Sequence, residues 1–141
     1  MPPNRLNPPP KTEGIELLNR SFLTQYHMRL LTLFGGSPGW REPLLVDLAL
    51  ERARACAGAA LNGDLLMVVA TYGVELSKGP FVEGNWMLAW IAMATTLRLN
   101  GKELKAGIAE ASAAMREVSA GSWKLPELRA WLQARVEPLD P

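Results

Sequence analysis

Residues 77–104 read SKGPFVEGNWMLAWIAMATTLRLNGKEL. No charged side chain falls between Glu83 and Arg98, and Trp86, Met87, Leu88, Trp90, Ile91, Met93 and Leu97 surround a helical axis. That pattern predicts a helix running through the centre of a domain. It is shorter than the roughly 20 apolar residues needed to cross a bilayer. Asn100 and Gly101 supply its stop signal. Ahead of it, PFVEGN is a tight Gly-containing turn that presents backbone N–H groups and one carboxylate at the positive end of a helix dipole. A phosphate-holding turn wants His, Lys or Arg at its edges, and here the edges carry Gly79, Trp86 and Met87.

Working outward, apolar Ile15, Leu18, Phe22, Tyr26, Leu30 and Leu33 recur at helical spacing and predict a first helix from about Gly14, ended by Gly35-Gly36. SPGWREP reads as a turn, and Pro43 suits the first position of a second helix through about Ala57, with Leu45, Leu48, Ala49, Ala53 and Cys56 facing inward. A loop around Asn62-Gly63 precedes a third helix from Asp64 to about Ser77. A fifth is expected from about Leu104 to Val118, and a sixth from Pro126 to about Val136 through Leu128, Trp131 and Leu132. Strand signals are scarce and there is no internal repeat. The expected fold is all-α, a compact bundle of about six helices around a central buried one. Residues 1–13 hold five prolines, whose fixed φ and missing donors oppose helix and sheet, so they read as an extended or disordered arm. The domain is placed at residues 14–137, with a short tail at 138–141.

The chain has 141 residues, 48% of them hydrophobic, enough for one core. Fifteen basic side chains stand against 14 acidic ones, so no excess field steers it toward nucleic acid or an anionic membrane. Cys56 is the only cysteine and has no internal disulfide partner, which fits a reducing compartment. The proline-rich start has no apolar core and is neither signal nor transit peptide, so the expected location is cytoplasmic.

Three segments, FGGSPGWRE, PFVEGN and LRLNGKEL, resemble in order and spacing the Doc branch of the Fic/Doc (Fido-domain) toxins, over residues 14–136. The resemblance implies a helical protein of toxin-antitoxin type. Members transfer a nucleotidyl or phosphoryl group from a nucleoside triphosphate to a protein hydroxyl, and a small Phd-like antitoxin peptide neutralises the Doc branch. The family motif is His-x-Phe-x-Asp/Glu-Gly/Ala-Asn-Lys/Gly-Arg. By that resemblance Gly79 stands at the base position, Phe81 is the buried anchor, Glu83 the metal-orienting carboxylate, and Gly84 and Asn85 the anion cradle. Trp86 and Met87 replace the phosphate-neutralising Lys and Arg. A one-residue deletion before Pro80 would leave no residue at all at the histidine position.

Losing a general base alone costs about 10²- to 10⁴-fold, and losing the clamps on a transferring phosphoryl group adds to that. The expectation is therefore a degenerate motif without a catalytic residue, weak or absent nucleotide binding, no metal and no cofactor. Lys78, the nearest charge upstream, replaces an arginine only if the backbone rearranges. Each site residue also has a plainer reading. Glu83 caps the fourth helix; Trp86 and Met87 fill core or else line an apolar pocket; His27 is a partly exposed helix residue or a satisfied polar group. Two functions stay open: a Doc-like pseudoenzyme that binds a protein partner, or a repurposed Fic-fold enzyme acting on a less anionic substrate in the old nucleotide cleft.

Overall fold

Residues 65–76, LLMVVATYGVEL, have no charge until Glu75 and are apolar on nearly every side, so only a position surrounded by other helices buries them. The computed structural model describes residues 14–58 and 64–140, and they are arranged in that way. The element order is α1 (Arg20–Phe34), α2 (Leu44–Gly58), α3 (Leu65–Leu76), α4 (Asn85–Leu99), β1 (Lys102–Leu104), α5 (Ile108–Ser119), α6 (Leu125–Gln133) and β2 (Val136–Pro138). The all-α, six-helix fold is as expected. The 1–13 arm and the loop at Asn62-Gly63 lie outside the described residues.

The central position belongs first to α3, which packs against α2, α4, α5 and α6. Val68, Val69, Ala70, Tyr72 and Leu76 are fully buried there. The α4 helix shares the core through Leu88, Ala89, Ala92, Met93 and Leu97, while its first turn remains at the surface. At their crossing, a Cβ on Gly73 would come within 2.6 Å of Met93 Sδ and 2.7 Å of Leu128 Cδ2, so only glycine lets three helices approach this closely. Asp64 caps α3, its side chain accepting from Met67 N–H at 3.1 Å.

Four sequence expectations change. The first helix begins at Arg20, not Gly14: Asn19 is its N-cap with extended backbone, residues 14–19 are not helical, and Leu18 is buried with its N–H donating to the Tyr72 hydroxyl at 3.1 Å. The inward face of α1 is Leu23, His27 and Leu30, whereas Leu33 is exposed. On α2, Val46 is fully buried and Leu48 faces outward. Lastly, Leu104 does not open the fifth helix and Val136 does not close the sixth. They pair across a two-stranded antiparallel ribbon, Lys102↔Pro138, Glu103↔Glu137 and Leu104↔Val136, with Lys105 N–H to Arg135 carbonyl extending it at 2.8 Å. No helix among the described residues is long and apolar enough to cross a membrane.

Candidate functional site

The segments GGSPGWRE and GPFVEGN close on each other like the edges of a zip. Trp40 and Phe81 form an antiparallel bridge. Val82 N–H donates to Gly39 carbonyl at 3.0 Å, and Arg41 and Glu42 N–H both donate to Pro80 carbonyl at 2.9 Å. The α1–α2 connection thus supplies one wall of the motif turn.

Arg41, which sequence reading passed over, holds the other end. Its Nε donates to Gly79 carbonyl at 2.7 Å and its Nη2 to Lys78 carbonyl at 2.6 Å. A guanidinium is thereby placed on the carbonyls just beyond the C-terminus of α3, where the helix dipole is negative. Gly79 itself has φ +93°, and a Cβ there would lie 2.9 Å from Arg41 Nη2. The space that a side chain at position 79 would enter is occupied by Arg41.

Beneath the turn sits His27. It is buried, and its Nε2 lies 2.7 Å from the Glu83 carbonyl oxygen; since a carbonyl only accepts, Nε2 carries the proton and donates. Of the two sequence readings of this histidine, the satisfied polar group is the one observed and the partly exposed residue is not. The imidazole stacks on Phe81 with ring centroids 3.5 Å apart and 11° between planes; Phe81 stacks in turn on Trp40 at 4.3 Å, and Arg20 lies over Trp40 at 5.1 Å. Phe81 itself is buried. The spacing Leu23–His27–Leu30, i, i+4, i+7, was the available signal for burial of His27.

The motif's remaining polar groups are likewise engaged within the protein. Asn85 Oδ1 accepts from Phe81 N–H and its Nδ2 donates to Phe81 carbonyl, both at 2.9 Å. Glu83 does not cap α4, contrary to its plainer reading. Its Oε2 accepts from Ser37 N–H at 3.1 Å, fastening the turn to the α1–α2 connection. The N-cap is Gly84, at φ +82°, without a side-chain hydrogen bond. Lys78 does not turn toward the motif. With Arg52 it pairs to buried Glu75, at 3.0 and 2.7 Å respectively.

Trp86 does not fill core, and Met87 packs against the core from its edge. Trp86 is 45% exposed and Met87 half-buried. With Trp90 and Ile91 they form one side of an apolar groove of about 210 Å³, closed by Ala106, Gly107, Ile108 and Ala111 at the start of α5. Of the sequence-predicted residues, Phe81, Glu83, Gly84 and Asn85 come together in one turn, and Trp86 and Met87 open from it into the groove. No family model matches the chain, and no curated protein matches it.

Proposed function

We propose that the chain is a Doc-like pseudoenzyme of Fic/Doc type, a helical scaffold retained for binding a protein partner and not for group transfer. The observation that carries this reading is the commitment of the Arg41, Lys78, Glu83 and Asn85 side chains to the protein itself. Arg41 lies on the Lys78 and Gly79 carbonyls, Asn85 on the Phe81 backbone, Glu83 on Ser37 and Lys78 on Glu75. A transferase needs some of these groups aimed at where charge develops in the transition state. Here they hold backbone and side-chain partners of the protein itself. Nucleotide is bound weakly or not at all, and the activity of an ordinary nucleotidyl- or phosphotransferase is missing.

The exposed surface beside the turn supports a partner of antitoxin type. Met28, Leu33, Phe34, Trp40 and Leu44, on α1, α2 and their connection, and Val82 in the turn are large, apolar and exposed. Trp40 and Val82 lie together where the α1–α2 connection meets the turn, and exposed apolar side chains there suit an amphipathic helical peptide such as a Phd-like antitoxin. The alternative, a repurposed enzyme for a less anionic substrate, is favoured by one feature, the apolar groove at Trp86 and Met87.

Incubation of purified protein with labelled ATP, magnesium and a cell lysate tests the reading. No labelled product above background is expected. A labelled band that disappears on Glu83→Ala would overturn it.

A further inference from the structure

Trp86 stands between two hollows. One is the apolar groove it forms with Met87, Trp90 and Ile91, whose far rim is Ile108, 91% exposed. The other, about 330 Å³, is lined by Trp86 with Ser112, Met115, Arg116 and Ser119 of α5. The indole, 45% exposed, is their shared wall. The α5 lining is one helix face, since Ile108, Ser112, Met115 and Ser119 recur at i, i+4, i+7 and i+11. The two hollows therefore follow each other along α5 as one trench.

The ends of that trench differ in chemistry. No charged side chain lines the Ile108 end. At the other end, Arg116 is the one charged residue among the described residues that lines either hollow. Its Nη2 donates to Ser112 Oγ at 3.4 Å, and no carboxylate among the described residues pairs with it. Arg129 and Arg135, by contrast, are paired with Asp64 and Glu110 at 2.8 Å. A guanidinium without an acid at one end of an apolar trench fits a ligand with one anionic head and an apolar body. A carboxylate suits the head: a guanidinium donates two parallel hydrogen bonds to it, and the Ser112 hydroxyl supplies a further donor. A phosphate dianion would need a second cation, and neither hollow has one among the described residues. From Ile108 to Arg116 is about 12 Å along α5 at 1.5 Å per residue, a length that a medium-chain alkyl group spans.

We infer that the trench is a binding site for a medium-chain monocarboxylate, with its head on Arg116 and Ser112 and its alkyl chain running past Trp86 to Ile108. The inference stands on the two hollows and the unpaired guanidinium, and does not depend on whether the motif turn is catalytic or on the proposed protein partner. Titration of octanoate into the isotope-labelled full chain, followed by amide and indole NMR signals, tests it. The Trp86 indole and the Ile108, Ala111 and Ser112 amides should shift together and saturate, while Ala49 and Ala53 on α2 stay still. Arg116→Gln should weaken octanoate binding about tenfold, the loss of one charge-assisted pair, and leave octanol binding as in wild type. Ile108→Ser, at a side chain already exposed, should weaken both ligands. Inorganic phosphate should leave the same signals in place. Shifts that never saturate, or an Arg116→Gln variant that binds octanoate as tightly as wild type, would overturn the inference. So would octanol binding wild type as tightly as octanoate does, or phosphate moving the same signals.

Discussion

Arg41 holds two carbonyls with one guanidinium, at 2.7 and 2.6 Å, and nothing else in the described residues bridges the α1–α2 connection to the end of α3 in this way. Hydrogen bonds to a charged donor are worth about 1.5–3 kcal/mol, so Arg41→Ala should lower unfolding free energy by about 1–3 kcal/mol once solvent replaces part of the interaction. Arg41→Lys should recover little of it, because an ammonium cannot reproduce the fork. Urea denaturation checks both; an alanine variant as stable as wild type would mean that the fork contributes nothing. The same contact governs what can stand at position 79. Gly79→His must accept a positive φ and displace the arginine, so it should destabilise by about 1–3 kcal/mol and not restore a base. None of this was legible in sequence, since Arg41 and Gly79 stand far apart along the chain and no local pattern links them. The burial of Phe81 was legible, since it is the one aromatic side chain of the turn that leads into α4.

Among the elements, α3 and α4 were readable at their starts. Asp64 signals an N-cap directly, and Gly84-Asn85 ends a turn before an uncharged apolar run. The start of α1 and the β1–β2 ribbon were not, for one physical reason: both depend on tertiary partners. Leu18 is held out of the helix by Tyr72 and the core, and Leu104 is a strand residue because Val136 lies across from it. Asp64 also yields a pH prediction. Burial pushes its carboxyl up, but the Arg129 hydrogen bond, the Met67 N–H and the Arg129 charge outweigh that and hold it below its ordinary value. A depressed acid contributes stability above its unfolded pKa of about 3.9 and loses it as pH falls through the folded value. Asp64→Asn keeps a capping side chain without the charge. The variant should therefore be less stable than wild type at neutral pH, with the gap closing in acid. Thermal unfolding between neutral pH and the acid limb measures it, and a pH-independent gap would remove the ion pair from the account.

At the scale of the whole molecule, the six helices of the described residues hold the Gly79–Asn85 turn and the start of α4 in place, with Glu83 and Asn85 bound to backbone groups and Trp86 and Met87 apolar beside them. The central claim of the proposed function is that Trp86 and Met87 stand where the family it resembles carries its phosphate-binding cations, on an open cleft and not in the core. Unpaired charges forced into a core cost several kcal/mol each, whereas at this half-open surface both new side chains reach water. Trp86→Lys/Met87→Arg should accordingly fold, losing no more than the roughly 0.5–3 kcal/mol typical of single substitutions. Calorimetric titration of magnesium-ATP into wild type and the double variant is the most direct test. The account predicts no measurable heat of binding for wild type and clear binding for the folded variant; an unfolded variant, or wild type binding as tightly as the variant, would contradict it.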